Sequence, residues 1–247
     1  LRSKEIAALK KTRYLLISDE ERKEIFLRYN PEFQGKIIYI PNASANTEEP
    51  LTDLHFPKNK VLVNVSGSTA AWTGIDRIIE SSKTWEDNYL LVIHCKSEEE
   101  KIILAQRNPG ILENEEIFLT YGSFKRSQYK NFISKMDIGI VFYIPQFTDR
   151  YDGLNLRYIG KSSGKFAYYL MSGKPVIVND VPYYRHLLQR YRFGVLIKDT
   201  HDKGEIAKAL TTIHANYSTY SKEALRCFQN EFDLDQAVSD FVKALQQ

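Results

Sequence analysis

Cysteine is scarce, with two in 247 residues. Cys95 and Cys227 are far apart and neither belongs to a Cys-x-x-Cys pair, which argues against a disulfide framework or a zinc site and fits a reducing compartment. No apolar run approaches membrane-spanning length, and the opening LRSKEIAALKK lacks the apolar core of a signal peptide. A cytoplasmic chain is therefore expected, peripheral at most to the inner face of a membrane. An excess of either charge is missing too: 34 Lys and Arg oppose 31 Asp and Glu, a formal net charge of +3. That is too little for a nucleic-acid partner on charge alone, so any basic patch must be local. Walker A is absent, because three residues rather than four separate Gly160 from Gly164-Lys165 and Phe166 follows. The turn SGSTAAWTG is not GxGxxG, and His94-Cys95 rather than an acid closes its neighbouring strand, which weakens a dinucleotide oxidoreductase reading. Spacing supports no Ser-His-Asp, Cys-His or paired-carboxylate constellation. The glycosylation patterns at Asn42, Asn64 and Asn216 are read as chance matches.

What is present is a rhythm. A charged amphipathic helix over Arg2 to Lys11, RYLLIS, a helix capped by Ser18 or Asp19, and KIIYIPN form a short α/β appendage, residues 1–45. Residues 46–60 are polar and proline-punctuated and read as a linker. From Val61, apolar strands alternate with helical patterns: VLVNVS, Ile75 to Ser82, YLLVIHC, a helix capped by Ser97, EIFLTYG, SQYKNFISKM, DIGIVFY, PVIVND and FGVLIKD. Strands apolar throughout and separated by helices imply a parallel sheet covered on both faces, since parallel connections need crossovers. The fold class is α/β: a Rossmann-like, doubly wound parallel sheet of about six strands, residues 61–232, with C-terminal helices. A last helix fills 233–247. Its DLD is read as a cap, Asp233 with Gln236, rather than a metal-binding Asp-x-Asp.

The organising stretch is GKSSGKFAYYLMSGKPVIVND, residues 160–180. Ser162 or Ser163 can cap a helix whose face carries Phe166, Tyr169 and Leu170, and Gly173 with Pro175 ends it. Lys165 falls in that helix's first turn, the wrong end of the macrodipole for a cation unless an anion is bound there. Free N–H groups, hydroxyls and a lysine at one helix start make an anion cradle. The alternative is a solvated lysine on an ordinary capped helix.

VNVSGSTAAWTGIDRIIESS, NYLLVIHC, EEIFLTYGSF, MDIGIVFY, SSGKFAYYLMSGKPVIVND and FGVLIKD resemble, in order and spacing, the carboxyl-terminal, donor-binding half of retaining, family-four-like GT-B glycosyltransferases. The SGKF…YL.SGKPVIV block is the most specific part. RYLLISDEERKEIF…KIIYIPNAS resembles the end of that family's amino-terminal half and its crossover. The resemblance implies a donor nucleotide sugar, a saccharide or lipid-linked acceptor, and a hexosyltransferase-like step in polysaccharide or lipid-linked sugar assembly. It further implies no metal or other cofactor, and an amino-terminal GT-B domain as missing partner, so that the chain alone is expected to be inactive. Lys161, Ser162, Ser163, Gly164 and Lys165 would hold the diphosphate with Gly67 and Ser68. Thr120, Tyr121, Gly122 and Ser123, with Tyr168, would meet base or ribose.

Departures from the family pattern accompany the likeness. Its two glutamates flanking the phosphate loop fall on Gly160 and Tyr168, its arginine and lysine after the first strand on Ser68 and Thr73, and its acid after the fifth strand on His186. Asp149, Arg150, Asp152, Asn155 and Arg157 are the available replacements for sugar contacts; otherwise they form a solvated loop. The runner-up reading is a non-catalytic nucleotide-sugar-binding or scaffold protein of the same fold. His94 ends its strand as a phosphate contact or a rim histidine.

Overall fold

The computed structural model describes residues 2–43, 49–50, 54–146 and 152–246. The chain opens with α1 (Arg2–Leu9), β1 (Tyr14–Ile17), α2 (Glu20–Tyr29) and β2 (Lys36–Tyr39). β1 and β2 pair in parallel as a separate two-stranded sheet. Asp19 rather than Ser18 caps α2, its carboxylate accepting the Arg22 N–H at 2.9 Å.

The sheet domain then runs β3 (Val61–Gly67), α3 (Ile75–Ser82), β4 (Tyr89–Cys95), α4 (Glu98–Arg107), β5 (Ile117–Tyr121), α5 (Arg126–Ser134) and β6 (Ile138–Val141). It continues with α6 (Asp152–Arg157), α7 (Gly164–Met171), β7 (Val176–Asn179), α8 (Pro182–Arg190) and β8 (Gly194–Ile197). Three helices close the chain: α9 (Lys203–Ala215), α10 (Tyr217–Glu231) and α11 (Leu234–Leu245). Short 3-10 turns occupy Ala71–Thr73 and Gly160–Ser162.

The six strands are all parallel, in the order β5-β4-β3-β6-β7-β8. The order reverses between β3 and β6, and at such a switch point two loops leave the sheet edge in opposite directions and open a crevice for ligand. One face buries Phe132, Phe166, Tyr169, Tyr184 and Phe232 from α5, α7, α8 and the end of α10. The other buries Ile75, Ile78, Leu104, Ile206, Leu210 and Ile213 from α3, α4 and α9. Every residue of β4 is buried, as its continuous apolar run predicts.

Two helices differ from the sequence reading. α8 has Pro182 at its start and buries Tyr183, Tyr184 and Leu187, but its aromatic and charged mixture hides the apolar stripe that marks a helix. α6 turns the end of the expected loop into helix. The terminal cap is as read: Asp233 accepts the Gln236 N–H at 2.9 Å. α11 reaches back to β1, where the Tyr14 hydroxyl donates to the Ala244 carbonyl at 2.9 Å. Among the described residues no helix is long and apolar enough to cross a membrane.

Asn64 in β3 is fully buried, which removes it as a glycan acceptor in the folded chain. Its amide donates to the Val92 carbonyl at 2.9 Å, and its oxygen accepts from Ser66 at 2.7 Å and from the Tyr169 hydroxyl. Tyr169 reaches it by lying across Gly139 of β6, where a Cβ would stand 2.7 Å from the ring. Gly139→Ala should therefore displace the ring and destabilise the domain by about 1–3 kcal/mol, as overpacking does. Urea unfolding reads the change. A loss under about 0.5 kcal/mol, the range of indifferent surface substitutions, would show that the ring is not pinned there.

Candidate functional site

The turn before α7 and the loops after β3 and β6 meet at the switch point. Ser163 is the cap of α7: its hydroxyl accepts the Phe166 N–H at 3.3 Å and is bonded to the Tyr143 hydroxyl at 2.7 Å. Ser162 faces the other way, donating to Ser18 at 2.9 Å, while its carbonyl accepts from the Asn42 amide at 2.9 Å. The N–H groups of Gly164 and Lys165 have no partner among the described residues. They are the donors a helix start leaves for an anion.

The two lysines of the turn have different fates. The Lys161 ammonium is paired with Glu231 at 3.1 Å and lies over the Phe232 ring. Lys165 keeps its ammonium 4.9 Å from the Tyr143 ring centre and 5.9 Å from that of Trp72, two rings stacked within 9° of parallel. No carboxylate among the described residues neutralises it. Burial, and then the nearby charge of Lys96, lower its pKa to about 8. Burial also pushes the Tyr143 hydroxyl up to about 12, so it stays a donor. Gly67 supplies the facing turn in a left-handed conformation, φ +104, with open space where a side chain would stand, and Ser68 accepts the Ala70 N–H at 3.2 Å.

The third loop is more dispersed. Thr120 is buried, Tyr121 is exposed with Lys101 5.3 Å from its ring, and Ser123 is exposed. Gly122 has φ +135 and donates to the Cys95 carbonyl at 3.1 Å. His94 is buried, stacked 4.4 Å from Phe124 and hydrogen-bonded to the Gly122 backbone. Burial lowers its pKa to about 4, so it is a neutral rim residue rather than a cation for phosphate. Tyr168 packs edge-on against Tyr129 at 4.8 Å.

Asp149 and Arg150 lie outside the described residues. Asp152 opens α6, and Asn155 and Arg157 are exposed farther along it. The Asn155 carbonyl accepts from Arg22, and Arg157 lies over Tyr158. The acidic group beside the turn is instead Asp19, from the appendage. Its carboxylate accepts the Lys161 N–H at 2.9 Å and fills the space where a side chain at Gly160, φ +44, would begin. Asp19, Trp72 and Tyr143 are the contributors the sequence reading did not assign. An open cleft of about 830 Å³ beside Arg13, Lys36 and Ala244 contains none of the turn's residues.

No family model and no curated protein matches the chain. Solved structures do. Sucrose-phosphate synthase from Thermosynechococcus elongatus is 16% identical with a TM-score of 0.67, over 98% of this chain and 60% of that one. Anabaena Alr3699/HepE in complex with UDP-glucose is 12% identical with a TM-score of 0.64, over 95% and 64%. The E. coli trehalose-6-phosphate structure bound with UDP-2-fluoro glucose is 14% identical with a TM-score of 0.62, over 98% and 62%. The chain thus spans less than two thirds of each. Likeness at this identity shows a fold, the Rossmann-like sheet domain of the GT-B glycosyltransferases.

The lowered pKa of Lys165 has a direction. The unfolded chain, with an ordinary lysine near 10.4, holds more protons between pH ~8 and ~10.4, so stability should rise with pH across that window. Below pH ~8 the penalty of the enclosed charge is fully present. Lys165→Met should abolish the rise and leave the empty protein at least as stable at pH 7, measured by urea unfolding at several pH values. A loss of stability at pH 7 would make the lysine structural.

Proposed function

We propose that this chain is the donor-binding half of a glycosyltransferase, holding the diphosphate of a nucleoside diphosphate sugar at the start of α7. The observation that carries the reading is Lys165. A half-buried cation beside two rings at the positive end of a helix, with no carboxylate partner among the described residues, costs stability that an anionic ligand would recover. The N–H groups of Gly164 and Lys165, the lysine and the Gly67-Ser68 turn would bind and orient the two phosphates. Departure of the nucleoside diphosphate builds charge on its oxygens, and fixed N–H groups and cations lower the energy of that step without reorganising. That fold neighbours were solved with UDP-glucose and UDP-2-fluoro glucose supports UDP as the first nucleotide to test. Retention of configuration, a saccharide or lipid-linked acceptor, an added amino-terminal domain and independence of metal belong to this reading through the family resemblance.

A second reading is favoured by one observation. The two places where the family carries glutamates are filled by packing: Asp19 stands against Gly160, and Tyr168 lies against Tyr129. A chain that binds nucleotide sugar without turning it over would look the same.

Calorimetry with UDP, GDP, ADP and NAD tests the binding claim, and preference for NAD over every nucleoside diphosphate would end it. Lys165→Ala should weaken nucleoside diphosphate binding by about 1.5–3 kcal/mol, the scale of a lost charge-assisted hydrogen bond, with Ser162→Ala and Ser163→Ala costing less. Binding at pH 8 should take up a proton at Lys165, seen as a heat that varies with the ionisation enthalpy of the buffer. Unchanged affinity in Lys165→Ala would misplace the cradle. Residues 1–247 alone should release no nucleoside diphosphate from a nucleotide sugar above background. Robust turnover would refute this last expectation.

A further inference from the structure

A second lysine without a carboxylate partner stands beside the same crevice. Lys96 is the first residue after β4, it is exposed, and among the described residues no acid pairs with its ammonium. The register of the sheet sets its place: Cys95 lies opposite Gly67, so Lys96 leaves the sheet edge alongside the Gly67-Ser68 turn. Lys165, near the Trp72 and Tyr143 rings, reaches the loop after β3 from the other flank of that strand. The flanks are tied together. Arg107 of α4 donates to the Thr69 carbonyl at 2.8 Å, and the Glu100 carboxylate accepts the Lys96 N–H at 3.1 Å.

We propose that Lys96 is the second phosphate-binding cation of this site, gripping a diphosphate together with Lys165 across the Gly67-Ser68 turn and setting a preference for diphosphates over monophosphates. The nucleoside rests on the donor-site reading; the two-lysine clamp on a diphosphate does not.

The resemblance places two cations after β3, where this chain has Ser68 and Thr73. Neither can replace them: the Thr73 hydroxyl is buried on the Ala70 carbonyl at 2.7 Å, and Ser68 accepts the Ala70 N–H. Lys96 returns one positive charge to the site from the adjacent strand. The nearest acids in sequence, Glu98, Glu99 and Glu100, open α4 and favour its helix start. Lys96 and Lys165 sense one another, since the charge of Lys96 follows burial among the causes that lower the Lys165 pKa. Two cations without a counter-ion repel, and a bound polyanion removes that cost. A monophosphate can satisfy the N–H groups of α7 and Lys165 alone, whereas a second phosphate gives Lys96 a partner as well. An added contact that only one ligand can make is a source of specificity.

Calorimetry of the whole chain with UDP, UMP and inorganic pyrophosphate tests the assignment in the wild type, Lys96→Ala and Lys96→Arg. The wild type should bind UDP at least about tenfold more tightly than UMP. Lys96→Ala, with folding checked by urea unfolding, should weaken UDP and pyrophosphate about 3–10-fold and UMP less than about twofold, the scale of a charged contact that water partly screens. Lys96→Arg should restore the preference. UDP and pyrophosphate affinities unchanged in Lys96→Ala, or UMP weakened as much as UDP, would overturn the assignment and leave the donor reading standing. Pyrophosphate binding that depends on Lys96, without UDP binding, would keep the clamp and remove the nucleotide-sugar reading. Binding of neither would overturn both.

Discussion

A single carboxylate from the appendage holds the turn on which the site is built. Asp19 accepts the Arg22 N–H that opens α2 and the Lys161 N–H that opens the 160–163 turn, across 142 residues of sequence. The Ser18 hydroxyl donates to it and accepts in turn from Ser162. Arg22 closes the ring by donating to the Tyr158 carbonyl at 2.8 Å. Buried carboxylates are stable when each oxygen meets fixed donors, and here two of those donors are backbone N–H groups, one from the appendage and one from the sheet domain. The helix start of α7 therefore points where the appendage directs it.

The strands were legible because burial on both faces leaves a chemical trace. YLLVI and PVIV are apolar without interruption, and β7 runs from the second to the fifth residue of PVIVND, Val176–Asn179. What lay between sequence-distant residues was not legible. Nothing in RYLLISDEE shows that Asp19 will meet Gly160, and nothing in GKSSGK separates its two lysines. The difference comes from Glu231, the last residue of α10, which takes Lys161 and leaves Lys165. The choice between the two serines was similarly tertiary, made by the Tyr143 hydroxyl at 2.7 Å from Ser163.

Lys165 is costly in three ways: it is a cation at the positive end of a helix, its ammonium is partly withdrawn from water, and Lys96 repels it. The Tyr143 and Trp72 rings return part of that, since a cation near an aromatic face gains about 0.5–2 kcal/mol, more as water is excluded. The same two rings hold the ammonium in place. Charge kept in readiness and left uncompensated is what an anion site requires, because a lysine already paired with a carboxylate must break that pair before it can bind.

The turn at Gly160 cannot be read as a glutamate site that simply lost its side chain. Its φ of +44 suits glycine, and the volume a side chain would need is taken by the Asp19 carboxylate. A glutamate restored at 160 would bring a second negative charge into contact with Asp19, and the neighbouring Lys161 is already paired with Glu231. The two carboxylates exclude one another. The Asp19 carboxylate comes from the appendage and is bound to backbone N–H groups, which makes it a brace for the 160–163 turn rather than a hand that reaches past it.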